Sequence, residues 1–131
     1  MPVELTMLAY SVALLFVIVL IQANAGVSAQ GLMPMANNRD NLPPPTAFQA
    51  RMKRVVDNHR EGLILFAPLA LIAAQQGIST STSMLGAQLF FYSRVAHAIL
   101  YILGIPMIRP LAWAVGIAGT VMVFLAIFHI A

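Results

Sequence analysis

Two sets of polar residues recur at helical spacing within otherwise apolar sequence. Arg54, Asn58 and Glu61 stand at i, i+4 and i+7, and Arg94, His97 and Tyr101 at i, i+3 and i+7. Each set therefore occupies one face of a helix. Arg109 follows in the next connection. Together these residues offer several cations and hydrogen-bond donors against a single carboxylate. That chemistry suits a small zwitterionic molecule with net negative charge, its carboxylates on the arginines and its ammonium on Glu61. A metal centre is disfavoured, because only one histidine and one carboxylate converge. Each residue alone has a plainer reading. Glu61 and Arg94 would make a structural ion pair, His97 a hydrogen-bonded core residue, and Tyr101 an interface tyrosine. The shared register of the two sets favours a functional site, since ionisable groups at membrane depth are functional suspects by default.

The elements that must carry these residues are membrane helices. The chain has 131 residues, of which 60% are hydrophobic and only 8% charged. A soluble domain of this size would carry about a quarter charged residues. The length fits one domain, residues 1–131. There is no cysteine, so disulfides, thiolate metal ligands and a cysteine nucleophile are excluded, and any thiol chemistry needs sulfur from a ligand. The net charge of +3 is too small, in surroundings this apolar, to indicate a nucleic-acid partner.

Four hydrophobic segments are visible, about Leu5–Val27, Gly62–Ala74, Leu85–Ile105 and Leu111–Ile130. They predict an all-α integral membrane protein, a four-helix bundle with spans at about 5–27, 54–75, 85–105 and 110–130 and a loop at about 30–50. "VSAQ" at Val27–Gln30 resembles a signal-peptide cleavage site. The first seven residues hold no Lys or Arg, however, and the apolar stretch is too long for such a peptide, so a retained span is expected. Gly62–Ala74 is thirteen residues, roughly 20 Å of helix at about 1.5 Å per residue, against about 30 Å of hydrocarbon. The missing turns are Arg54–Glu61. Either the segment is a short re-entrant helix, or its polar turns lie at membrane depth facing protein or water. Thr46 is a plausible cap for this helix, Gly104 and Pro106 stop the third, and Pro110 suits the first turn of the fourth.

Basic residues set the orientation. Arg39, Arg51, Lys53, Arg54 and Arg60 fall between the first two segments and Arg109 between the last two, while the opposite side has no Lys or Arg. The positive-inside rule then puts both basic connections in the cytoplasm and both termini outside. Arg51, Lys53 and Arg60 read as headgroup-facing topology signals. His59 and His129 carry little information, His129 belonging at the outer interface, and the methionines read as packing. On segment two Glu61 is the deepest polar group, and on segment three Arg94 is. The two faces match in depth, carboxylate against guanidinium, with Arg109 at the cytoplasmic rim.

These residues resemble the MAPEG family, the membrane-associated proteins in eicosanoid and glutathione metabolism. "RVVDNHREGLILFAPL" is similar to the family's R-x-x-x-N-x-x-E element with its following apolar run, and "RVAHAILY" to the third-helix element of its prostaglandin synthase. The resemblance runs from Asn38 to about Trp113 within a four-span layout. It implies a homotrimer with glutathione bound between subunits near the cytosolic face. It also implies that Arg54, Asn58, Glu61, Arg94, His97 and Tyr101 bind glutathione and that Arg109 stabilises the thiolate. Glutathione would then supply the sulfur that the chain lacks. Where the prostaglandin synthase has a serine and a tyrosine after that arginine, this chain has Pro110 and Trp113. The expectation is a bacterial-type inner-membrane glutathione transferase or peroxidase that meets a small hydrophobic second substrate in the lipid bilayer. Two rivals remain at this point, a non-catalytic glutathione- or lipid-binding scaffold of the same fold and a small-molecule exporter. Glutathione binding without turnover would favour the first. Proton-dependent efflux abolished by Glu61→Gln would favour the second.

Overall fold

A computed structural model describes residues 1–131. It is all-α, with α1 Val3–Gln30, α2 Leu32–Ala36, α3 Ala47–Gln75, α4 Ser81–Leu103 and α5 Arg109–Ile127. Local chemistry sets the helix ends more than hydropathy does. Thr46 opens α3 through a reciprocal capping box, its hydroxyl accepting from the Gln49 N–H while the Gln49 side chain accepts from the Thr46 N–H. Thr80 and Ser83 open α4 in the same way. Gly104 closes α4 in the left-handed region at φ 72, and its N–H reaches the Leu100 and Tyr101 carbonyls. Pro110 sits in the first turn of α5, where no helical donor is lost.

The helices consequently differ from the apolar segments. α3 begins at Ala47, ahead of its apolar run, and α5 ends at Ile127. The 30–50 connection holds the short α2. α3 is one continuous rod of 29 residues, roughly 43 Å at about 1.5 Å per residue, with Pro68 inside it. The polar turns Arg54–Glu61 are built into this rod, so no separate short helix begins at Gly62.

Each long helix runs antiparallel to the next. At one end α1 hands over to α3, where the Gln30 side chain donates to Gln49 at 3.1 Å. Gly104, where α4 ends, lies beside the Arg51 guanidinium at this same end. The basic connections therefore share one end of the bundle. At the other end Glu4 of α1 is buried against the start of α4, accepting from Ser79 at 3.0 Å and from Ser83 at 2.5 Å. α4 and α5 pack against each other through glycine. A Cβ on Gly86 would collide with the Gly119 carbonyl, and one on Gly119 with the Gly86 carbonyl.

The core has two apolar clusters. One centres on Phe66 and Phe90, stacked with ring centroids 4.2 Å apart, together with Met7, Leu63 and Val123. The other joins Ile18, Met52, Val55, Val56 and Ala98 nearer the basic end. The exterior is also apolar. Phe16, Leu20, Ile64 and Leu111 are each about two-thirds exposed. Meanwhile Glu4, His59, Arg94 and His97 are buried. A bundle that turns polar side chains such as these inward and shows large apolar side chains along its outside is organised for lipid, not water. α1 and α5 are long and apolar enough to cross a membrane by themselves. α3 and α4 carry the polar residues that build the site.

Candidate functional site

Arg94 is the hub. It is only 3% exposed, yet it reaches two residues of α3. One terminal N–H of its guanidinium donates to the Asn58 side-chain oxygen at 2.6 Å, and its Nε–H donates to His59 Nδ1 at 3.4 Å. The other ring nitrogen of His59 lies 2.8 Å from the Ser11 carbonyl of α1. A carbonyl only accepts, so His59 carries its proton on Nε2 and offers Nδ1 to Arg94. A chain of hydrogen bonds thus ties the α1 backbone to His59 and His59 to Arg94. Small residues make room for it. Gly62 lets Phe90 and Arg94 approach α3, and Gly116 lets Ser93 and Arg94 approach α5.

The expected Glu61–Arg94 ion pair is not formed. Arg94 is held by Asn58 and His59, and Glu61 is exposed. The ion pairs of the chain lie on the outer surface of α3, where Asp57 pairs with Lys53 at 2.6 Å and Arg60 at 3.0 Å. A neutral amide and a neutral imidazole satisfy the buried guanidinium without a second charge being taken out of water. Glu61 instead faces open space in front of Arg94.

That space is a cleft between α3, α4 and α5 with two adjoining parts. The outer part, 580 Å³, is lined by Asn58, His97, Tyr101, Arg109 and Trp113, among others. The inner part, 100 Å³, is lined by Asn58, Glu61, Arg94 and Trp113 with apolar neighbours. Asn58 and Trp113 border both parts. In the outer part the Arg109 guanidinium lies over the Tyr101 ring at 4.3 Å from its centroid, and the His97 and Tyr101 rings are 4.8 Å apart. His97 is buried, and its Nδ1 has no hydrogen-bond partner. A buried ring nitrogen without a partner is a cost unless something else satisfies it.

The structure therefore brings Asn58, Glu61, Arg94, His97, Tyr101 and Arg109 to one cleft. It leaves Arg54 out. Arg54 lines a different cleft, between α1 and α3, with Gln22, Gln49 and Lys53. The helical angle shared by Arg54 and Asn58 does not survive as a shared cavity, because the packing of α1 and α4 on either side of α3 divides that face. Sequence reasoning passed over His59 and did not weigh Trp113 as a lining residue. His59 left a signal. Met52, Val56, His59, Leu63, Phe66, Ala70 and Ala73 form the buried stripe of α3 at alternating steps of three and four. A histidine on such a stripe must have partners.

The sequence model of the MAPEG family matches residues 5–129. The chain belongs to the MAPEG family. No curated protein and no solved structure matched it. MAPEG proteins are known for glutathione-related membrane transferases and peroxidases. Membership and the lipid-suited exterior agree that this MAPEG chain is a membrane protein. In its sequence the R-x-x-x-N-x-x-E element falls on α3, with its asparagine on Arg94 and its glutamate at the mouth of the inner cleft.

Proposed function

We propose that the chain is a glutathione-dependent transferase or peroxidase acting on hydrophobic electrophiles or lipid hydroperoxides. In this reading all four long helices span a bacterial inner membrane, with the cleft facing the cytoplasm and the termini outside. Three subunits assemble as a homotrimer, and a neighbour closes the open side of each cleft. The observation that carries the reading is a pair of adjoining cavities that together present two arginines, an unpartnered buried histidine nitrogen and one open carboxylate, in a chain without cysteine. Glutathione has two carboxylates, an ammonium and a thiol, and its charges complement that set.

The residues divide the work by position. Glu61 takes the ammonium, and His97 donates or accepts at its free nitrogen. Arg94 has both of its defined bonds on Asn58 and His59, so its remaining donors point a carboxylate to one place. Arg109, in the first turn of α5 and over Tyr101, holds negative charge on the sulfur. The positive end of the helix acts on the same point. Glutathione supplies the nucleophile. Its sulfur forms a bond to the electrophile as the leaving group departs, or attacks the outer oxygen of a hydroperoxide, so that the O–O bond breaks, the alkoxide takes a proton and leaves as the alcohol, and the resulting glutathione sulfenic acid reacts with a second glutathione to give the disulfide and water.

Calorimetry on the detergent-purified protein, followed by thiolate absorbance and turnover, tests this reading. A free thiol of pKa about 8.5 is only a few per cent ionised at neutral pH, and a nearby cation lowers that value. Arg109→Ala is expected to change glutathione affinity only severalfold, to raise the bound thiol's pKa and to lower turnover about tenfold or more at pH 7, with partial recovery at alkaline pH. Absence of glutathione binding to the unaltered protein sinks the proposal. Binding without turnover on any electrophile would leave a scaffold of the same fold.

A further inference from the structure

His59 borders neither part of the cleft, yet it is bonded to Arg94, which lines the inner part. It is 1% exposed, and the other buried residues of α3 are all apolar. A leucine would complete that stripe without taking two ring nitrogens out of water. Both nitrogens of His59 are instead matched, Nε2 to the Ser11 carbonyl and Nδ1 to the Arg94 Nε–H. Ser11 is itself fully buried, and its hydroxyl donates to the Met7 carbonyl at 2.7 Å. The anchor that α1 offers the ring is therefore a main-chain oxygen inside a helix, which no rotamer change can move.

The consequence falls on Arg94. Its side chain is long and has several rotatable bonds, so a single hydrogen bond would leave the planar guanidinium free to turn about it. Asn58 and His59 bond to two different nitrogens, Nη2 and Nε. The Nε–H and one Nη2–H lie along the same side edge of the guanidinium, and two acceptors on that edge fix its plane. The end edge, with one N–H on each terminal nitrogen, is left over, and it is the edge that accepts a carboxylate in a two-point contact. Asn58 borders the cleft and is open to contact with a ligand, whereas His59 is shut away from it. His59 can act on a ligand only through Arg94, by ordering the guanidinium before the ligand arrives. Order established in advance lowers the entropy cost of binding.

We propose that His59 is a positioning residue for glutathione recognition. Held by the α1 backbone, it fixes the guanidinium of Arg94 with its end edge free for a carboxylate. The inference rests on the glutathione reading above for the ligand, and on the hydrogen bonds alone for the fixing of Arg94.

Two measurements on the full chain in detergent test this. Nitrogen-15 NMR with labelled histidine needs no ligand. The chain has three histidines, and the His59 signals are those lost in His59→Asn. The expected ring carries its proton on Nε2 and none on Nδ1. A proton on Nδ1 overturns the proposal, because that nitrogen then cannot accept from Arg94. Glutathione calorimetry and kinetics are the second measurement. His59→Leu keeps the stripe apolar and nearly the same volume but removes both bonds. It should raise Kd and KM for glutathione about tenfold or more. The kcat and the pKa of the bound thiol should hold, since Arg109 still faces the sulfur. His59→Asn puts an acceptor back near the place of Nδ1 in a smaller side chain, and should restore Kd to within about threefold of the unaltered protein. A role in packing alone gives the opposite order, with His59→Asn the poorer binder. That order, an equal loss in the two variants, or an unaltered Kd in His59→Leu overturns the proposal and leaves His59 a core residue. A fall in kcat with KM unchanged overturns it too, by moving the effect to the thiolate. The NMR result does not hang on His59→Leu folding. Failure of the unaltered protein to bind glutathione would refute the proposed function, and the NMR result would still decide whether His59 holds Arg94.

Discussion

Glu4 and Arg94 are both buried charged residues, and they sit at contrasting places in the bundle. Glu4 is 1% exposed and Arg94 3%. Glu4 is closed in. Both carboxylate oxygens accept from Ser79, one also accepts from Ser83, and the group lies at the N-terminal end of α4, where helix polarity favours an anion. It ties the start of α1 to the start of α4 and borders none of the clefts described above. Arg94 is left partly open. Asn58 and His59 take two of its five donors, and the inner cleft lies in front of it. Burial of a charge is common to a structural tie and to a binding site. What separates them is hydrogen-bonding capacity left unused beside a space that a ligand could enter.

Replacing the two residues tests the contrast most sharply. Arg94→Leu removes the group with open donors and leaves the Asn58 and His59 side chains without their partner. Glutathione affinity is expected to fall more than a hundredfold, equivalent to about 3 kcal/mol, as read by calorimetry. Unaltered affinity would mean that Arg94, too, is only a tie. Glu4→Ala is expected to do the reverse. Loss of buried hydrogen bonds to a charged group costs about 1.5–3 kcal/mol, so the melting temperature in detergent should drop while glutathione affinity holds within twofold. A drop in affinity matching that of Arg94→Leu would erase the distinction between the two ends.

The smallest expected effect concerns Glu61. Had it been the partner of Arg94, its removal would cost about 3–5 kcal/mol. Exposed and without an ion pair, it should cost within about 0.5 kcal/mol on Glu61→Ala, measured by thermal unfolding without ligand. Glutathione should then bind more weakly. A large fall in melting temperature in the empty protein would restore the ion pair and blur the line between tie and site.

Helix chemistry was legible because it is local. Thr46 with Gln49, Gly104 and Pro110 act within a few residues of themselves, so the start of α3, the end of α4 and the start of α5 could be read from the chain. The same holds for the polar faces, since spacing fixes the angle of a side chain about its own helix axis. The family motif lies in contiguous residues, and membership follows from sequence alone.

Partner choice was not legible. Spacing says nothing about how far one helix is rotated or slid against another, and those rigid-body settings are decided by packing across the whole interface. Gly62 and Gly116 bring α4 close enough for Arg94 to meet Asn58 and His59, one turn short of Glu61. The placement of α1 sends Arg54 to a separate cleft and gives His59 the Ser11 carbonyl 48 residues away. Glu4 meets Ser83 across 79 residues of chain, a contact that no local pattern announces. Sequence set what each helix presents. Tertiary structure decided which presented groups touch, because side-chain hydrogen bonds require contact at about 3 Å and a rotation of a few tens of degrees between helices exchanges one partner for the next.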